Sequence, residues 1–336
     1  MDPPRTRLGI IGLGTMGSTY LRLIRSGRVP DFDVVAAADP RTITGCAPLE
    51  FYTDYRQLLM RHDVDAIAVS TPPHAHQAIT IRALKAGKHV LVEKPPALTV
   101  EGGKRMVRTA SKVDNVLFMA FHARYHASIE ALRQELATQE IRSIDIRYKE
   151  NVLNYHRGSS WVFDRMKSGG GALMDSGINA VSVVTYLLPR PTCLSVTSSH
   201  ICAPAGYPVE TNVDVGFRSC QGTVGRIRLD WLHAGTEMRQ FVIHTTNHEY
   251  TLDVTRDELC RDGEVLVPSR NLSGRVDQFS EYEAVFREFG EHISSHRSLV
   301  SISNLAFICA IYARDRMKTP CPAHANSTEA RLECAP

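Results

Sequence analysis

The sequence predicts a two-domain α/β protein: a doubly wound parallel sheet first, then an α+β domain on a large, mostly antiparallel open sheet. Three observations predict it. Short apolar runs alternate with amphipathic stretches as far as residue 122, the pattern of a parallel sheet with helices on both faces. Gly12, Gly14 and Gly17 fall between the first run and the first helical stretch. From about Ile141 the texture changes to period-two alternation broken by turn residues.

The elements follow in order. "RLGIIG" is a strand and Thr15 to Ser26 a helix, then "DVVAAAD" (33–39) is a second strand. A helix around "DYRQLLMRH" leads to the strand "DAIAVST" (65–71). "HQAITIRALKAG" has helical spacing and stops at Gly87. "HVLVE" (89–93), a helix near 99–113 and "VLFMAFH" (116–122) complete the first domain, 1–122. The second domain, 123–318, holds "IRSIDIRYKEN", a helical patch over 172–188 and strands between 192 and 267. Those strands include "CLSVTSSHI", "NVDVGF", "TVGRIRLDW", "RQFVIHTT" and "HEYTLDV", and helices near 278–296 and 301–317 follow. The tail 319–336 has no periodicity and is expected to be disordered.

Composition narrows the function classes. With 336 residues, 43% hydrophobic and 22% charged, the chain reads as an ordinary globular protein. Its 39 basic and 36 acidic residues leave a net charge of +3, with no basic cluster, so no nucleic-acid partner is expected. No apolar run approaches a membrane span, and the N-terminus enters a strand with no room for a signal peptide. A cytoplasmic protein is expected, with its eight cysteines as reduced thiols, since none form C-x-x-C.

"GIIGLGTMG" is G-x-G-x-x-G opening a helix at Thr15 and Met16. Glycine there permits the tight turn, the approach of a pyrophosphate and close helix–strand packing. Asp39 ends the next strand 22 residues after Gly17, placed to accept hydrogen bonds from an adenosine ribose. This is a Rossmann dinucleotide site. Asp39 repels a 2′-phosphate and favours NAD, while Arg41 keeps NADP open. Ser70, Thr71, Pro72 and His76 end one strand at the cofactor edge, and Glu93, Lys94 and Pro95 end the next. His74 and His76, two apart, suit helix capping better than a metal, and His292 and His296 suit a solvated helix face. No metal is expected. Arg124, at the end of "VLFMAFHAR", is expected to face the cleft and help order the site.

G-x-G-x-x-G, the acidic strand end, "TPPHAHQAITIRALKAGKHVLVEKP" and "GGGALMDSGINAVS" together resemble the glucose–fructose oxidoreductase / inositol dehydrogenase (Gfo/Idh/MocA) family over residues 5–318. The resemblance implies a Rossmann domain, an α+β domain whose open sheet often joins subunits, and a lysine, here Lys94, that touches substrate hydroxyl and cofactor. The commoner Asp-x-Gly-x-His pattern of the family ends here in Asn179, which cannot take a proton. Asp175-Ser176-Gly177-Ile178-Asn179 is similar instead to the aldose 1-dehydrogenase branch, as are Glu150, His156, Gly158 and Trp161 in "YKENVLNYHRGSSW". That branch has other residues at Asn151, Leu153, Tyr155, Arg157 and Ser159, and proline at Ser176. The chemistry looks retained, but the choice of sugar does not follow from it.

Asp175 and Asn179, four apart at a helix start, are expected to share a face, with the helix N-terminus favouring an ionised Asp175. The expected activity is hydride transfer from C1 of an aldose to NAD or NADP, giving a lactone. Lys94 would bind the reacting oxygen, and Asp175 would be the base, directly or through Lys94, with His156 second. Glu150, Asn179, Trp161 and Arg124 would contact the sugar. A homodimer or homotetramer is expected. The alternatives are another sugar or cyclitol oxidoreductase of the family, or a non-catalytic NAD(P)-dependent regulator.

Overall fold

The computed structural model describes residues 5–42, 49–155, 160–190, 192–269, 279–298 and 301–315. The first sheet contains β1 (Thr6–Ile11), β2 (Phe32–Ala38), β3 (Glu50–Tyr52), β4 (Ala66–Val69), β5 (His89–Glu93) and β6 (Leu117–Ala120). Its order is β3-β2-β1-β4-β5-β6, and every pairing is parallel. Strand order therefore reverses between β1 and β4, and ligands of open α/β sheets bind in the crevice at such a switch point. The strand interiors are continuous apolar runs because helices cover both faces; Ala66–Val69 is buried at all four positions.

The second sheet is built around β7 (Ile141–Lys149). It continues with β8 (Leu194–Cys202), β9 (Asn212–Ser219), β10 (Val224–Asp230), β11 (Met238–Thr245), β12 (Glu249–Asp253), β13 (Glu258–Arg261) and β14 (Glu264–Val267). The order is β14-β13-β12-β11-β7-β10-β9-β8, antiparallel except where β10 runs parallel to β7. Ile144, Ile146 and Tyr148 point from β7 into the core, and helices Ala127–Leu136, Ile178–Leu187 and Ser303–Asp315 supply apolar side chains to the same core. The opposite face is charged rather than apolar: Asp145 pairs with Arg147 (3.0 Å) and Arg228, and Arg226 with Asp214 (2.5 Å).

Helix Ala127–Leu136 has apolar residues at 129, 132 and 136 and was not anticipated. The final segment of the predicted histidine pair also differs. The helix Phe279–Ser294 ends before His296, which sits at φ +50°, so His292 and His296 do not share a helix face.

That helix returns to the first sheet. Tyr282, Val285, Phe286 and Phe289 share a core with Leu8, Ile10, Tyr20, Phe32 and Phe118. The Phe286 ring meets Tyr20 at 5.0 Å and Phe32 at 5.3 Å, both edge-to-face. Glu281 on the same helix is buried and bound by His122 Nδ1 (3.0 Å) and His126 Nε2 (2.9 Å), from the segment joining the two sheets. Burial alone would raise this carboxyl; the His126 and His122 contacts outweigh it and bring the pKa down to about 2. A depressed carboxyl contributes stability that is present above its unfolded pKa and is lost as pH falls towards about 2. Glu281→Gln is expected to cost roughly 1–3 kcal/mol at neutral pH and to flatten the acid limb below the ordinary carboxyl range. Urea melts across pH check this; an unchanged acid limb would show that the helix is held by its aromatic face alone.

Candidate active site

The glycine loop is built as a phosphate cradle. Gly12 sits at φ +93°, and a Cβ on Gly17 would lie 1.9 Å from the Gly12 carbonyl oxygen, so helix Thr15–Arg25 starts too close for any side chain there. A Cβ on Gly14 would meet no atom within 4 Å, which leaves open space over the loop. No acidic side chain occupies the first turn at Thr15, and Arg22 and Arg25 sit in the last, so the N-terminal N–H groups face outwards unopposed by an internal carboxylate. Met16 packs inwards, its sulfur 3.7 Å from the Tyr282 hydroxyl. The residues fit a dinucleotide.

Asp39, beyond β2, is buried and ties the loop down: Oδ2 accepts from the Leu13 N–H at 2.8 Å. Arg41 closes over it, with Nε 2.9 Å from Oδ1 and Nη2 3.0 Å from Oδ2. Burial pushes the carboxyl up, but the Arg41 and Leu13 hydrogen bonds outweigh it and hold it below its usual range. Ser70 Oγ donates to the Gly12 carbonyl at 2.8 Å, joining the end of β4 to the same loop. Thr71 Oγ1 is buried with no hydrogen-bond partner among the described residues. Helix Pro73–Lys85 follows, with Pro72 as its N-cap residue and no side-chain cap. His76 therefore does not cap it: Nε2 lies 2.6 Å from the Thr71 carbonyl and Nδ1 2.8 Å from that of Pro95, so one buried ring ties the β4 end to the β5 end.

At the end of β5, Glu93 turns inwards, bound by the Tyr20 hydroxyl and by the Lys94 N–H at 3.1 Å. Lys94 projects from the sheet edge. Its Nζ contacts Asp175 Oδ1 and lies 3.3 Å from the Asp175 carbonyl oxygen. The lysine side chain is 15% exposed and the aspartate 34%, so the pair is open on the aspartate side. Asp175 lies in a single π-helical turn, Leu173–Gly177, ahead of helix Ile178–Leu187. Such turns are frequent at functional sites, and the helix entrance is occupied by another acid. Glu210 Oε1 accepts from the N–H of Gly171 (2.8 Å) and of Leu173 (3.1 Å) and from the Tyr312 hydroxyl (2.6 Å). The expected helix-terminus support thus goes to Glu210, and Asp175 is held by Lys94. Asn179 Oδ1 is buried with no hydrogen-bond partner among the described residues.

Glu150 is fully engaged. Arg239 Nε donates to its Oε1 (2.6 Å) and Ser176 Oγ to its Oε2 (2.5 Å), while Trp231 Nε1 donates to Ser176 Oγ (3.0 Å). The chain Arg239–Glu150–Ser176–Trp231 braces the turn that carries Asp175, and three of its members were not anticipated. Ser176, standing where the resembling branch has proline, was one signal. Ser176→Ala leaves a buried carboxylate oxygen and an indole N–H unpaired; a loss of roughly 1–3 kcal/mol is expected in denaturant melts, and a change within error would mean that the bridge is dispensable.

One expected residue is not brought to the pair. Arg124 sits on the 3₁₀ turn His122–Tyr125 with its guanidinium 4.9 Å over the Phe121 ring. Its neighbours are Tyr186, near the end of Ile178–Leu187 remote from Asp175, and Arg190, just past that helix. Trp161 lies on the turn Ser160–Phe163, packed against the core. His156, with Arg157, Gly158 and Ser159, lies outside the described residues, as does the tail 319–336.

A parallel switch-point sheet with a glycine cradle, whose edge lysine meets a carboxylate from a second domain, defines a dinucleotide-dependent oxidoreductase. Residues 6–121 match the oxidoreductase family with the NAD-binding Rossmann fold, and residues 126–251 match the GFO/IDH/MocA C-terminal domain. The chain belongs to the Gfo/Idh/MocA family. It is 30% identical over 304 residues to a galactose 1-dehydrogenase of Pseudomonas fluorescens, covering 90% of this chain and 93% of that one. A 1,5-anhydro-D-fructose reductase of Ensifer adhaerens is 27% identical over 86% of this chain and 89% of its own. The crystal structure of a D-galactose-1-dehydrogenase protein from Rhizobium etli superposes with a TM-score of 0.78 at 27% identity, covering 93% and 96% of the two chains. Among the described residues no helix is long and apolar enough to cross a membrane.

Proposed function

We propose that this protein is an NAD-dependent aldose 1-dehydrogenase. The observation that carries the proposal is the Lys94–Asp175 pair at the carboxyl end of β5, beside the glycine cradle. The bound dinucleotide would supply the hydride acceptor. Lys94 would donate a hydrogen bond to O1 of the sugar and stabilise the negative charge that develops there as C1 loses hydride. Asp175, partly open to the cleft, would take the O1 proton directly or through Lys94. Asn179 Oδ1 has an unused acceptor for a sugar hydroxyl, whereas Glu150 would act by holding the Asp175 turn. Preference for NAD over NADP is supported by the buried Asp39 carboxylate, which would repel a 2′-phosphate.

The similarity to galactose 1-dehydrogenase supports C1 as the oxidised carbon and a galactose-like substrate. The similarity to 1,5-anhydro-D-fructose reductase supports a second reading, reduction of a keto-sugar. A panel of aldoses with NAD and NADP, and of keto-sugars with the reduced cofactors, separates the two. Lactone formed from an aldose supports the first, and turnover only of keto-sugars overturns it.

Residues 1–122 and 123–318 would form the cofactor and substrate domains, and the charged outer face of the second sheet would join two or more subunits. Such a contact would be polar, so a dimer weakened by added salt is expected. Light scattering at micromolar concentration checks it, and a monomer at low salt would rule the arrangement out.

A further inference from the structure

We propose that Cys193 and Cys220 form a dithiol site that reduces a hydroperoxide and closes to an intrachain disulfide. The two residues stand one position past Leu194–Ser219, the last pair of the β8–β9 ladder. Cys220 N–H donates to the Cys193 carbonyl at 3.0 Å, and Cys193 N–H donates to Cys220 Sγ at 3.2 Å. Both side chains are exposed. Facing positions of an antiparallel pair have Cα atoms about 4.5–5.5 Å apart, inside the span of roughly 4.4–6.8 Å that a disulfide needs. Closure therefore requires side-chain rotation and no refolding of the strands.

The two sulfurs are not equivalent. Cys220 receives hydrogen bonds from the Cys193 thiol and the Cys193 N–H, which hold its pKa below the usual thiol range, and Cys193 is pushed up by donating to it. As a thiol, Cys220 Sγ donates to Gln221 Oε1 at 3.4 Å, and Gln221 Nε2 is held by the Pro189 carbonyl at 3.1 Å. Cys260 and Cys309 differ: burial raises both. A thiolate is the nucleophile towards peroxide. The Cys220 thiolate attacks one peroxide oxygen, the O–O bond breaks, and the leaving oxygen takes a proton as alcohol or water. The resulting sulfenic acid is then attacked by the Cys193 sulfur, and its hydroxyl departs as water. Two thiols and one hydroperoxide thus give one disulfide, one alcohol (water from hydrogen peroxide) and one water, with the two electrons coming from sulfur.

The experiment treats the full chain with stoichiometric hydrogen peroxide and follows thiol loss and peptide masses. The expected result is a Cys193–Cys220 cross-link that forms at least about tenfold faster than Cys260 or Cys309 reacts and reopens with dithiothreitol. Cys193→Ser is expected to accumulate a sulfenic acid at Cys220, trapped by a 1,3-diketone, while Cys220→Ser leaves Cys193 as slow as Cys260 and Cys309. An unchanged thermal midpoint shows that both variants are folded. A link between different copies on a non-reducing gel, or loss of all described thiols at one rate, overturns the proposal.

Discussion

Lys94→Ala and Asp175→Ala are each expected to lower kcat by about 10²-fold or more on any aldose that the wild-type protein oxidises, the scale of lost proton-transfer help. The reason is their contact: Lys94 Nζ sits on Asp175 Oδ1 and near its backbone oxygen, so one substrate hydroxyl placed in the open side of the pair meets both. Removing the lysine leaves the carboxylate without its cation, and removing the carboxylate leaves the ammonium with nothing to receive a proton. The double variant should lose far less than the product of the two single losses, because the residues act as one unit. Affinity for NAD should change little, since the glycine loop and Asp39 are untouched. Equal kcat in wild type and Lys94→Ala on every oxidised aldose would reduce the lysine to a structural role. Steady-state kinetics with saturating cofactor, and NAD binding by fluorescence titration, supply both readouts.

Asp39→Ser is expected to weaken NAD binding by roughly tenfold or more, on the scale of a lost charge-assisted hydrogen bond, and to move preference towards NADP. Two effects act together. The Leu13 N–H loses its acceptor, so the glycine loop is less firmly set, and the 2′-phosphate no longer meets a buried carboxylate. Arg41, released from its two hydrogen bonds to Asp39 and already largely exposed, becomes available to a phosphate. The ratio of kcat/KM for the two cofactors checks this. A wild type that already uses NADP many-fold better than NAD would mean that Arg41 dominates the site and Asp39 does not read the ribose.

The parts of this site that were legible in the sequence are those fixed by local backbone demands. Gly12 and Gly17 announce themselves because no other residue fits their turn and close approach. Lys94 could be placed at the ligand edge because a parallel strand ending in Lys-Pro has to deliver its side chain at that edge. Its meeting with Asp175, 81 residues on, rested on resemblance and not on any local rule. The Arg239–Glu150–Ser176–Trp231 chain was illegible because its members come from separate strands and a turn that only tertiary packing brings together. Arg124 was read as the end of a strand, but β6 ends at Ala120 and the arginine sits on the 3₁₀ turn that follows. The π-helical turn at Asp175 left no trace either, since its spacing differs from an α-turn by one residue. Strands β13 and β14, four residues each, are too short for alternation to name them.

The helix Phe279–Ser294 has a consequence for any attempt to cut the molecule apart. It lays Phe286 and Phe289 on rings of the first sheet, with Phe289 stacked on Phe32 at 5.8 Å, although more than 150 residues of the second domain intervene. A fragment ending near residue 122 would keep the whole glycine cradle and all six parallel strands, yet bare an aromatic wall that includes Tyr20, Phe32 and Phe118. Such a fragment should self-associate or precipitate rather than bind nucleotide as a soluble module. Adding the helix back as a separate peptide should restore it. The nucleotide half is thus a discontinuous unit, stitched shut by the far end of the chain, and swapping it between relatives requires exchanging two segments at once.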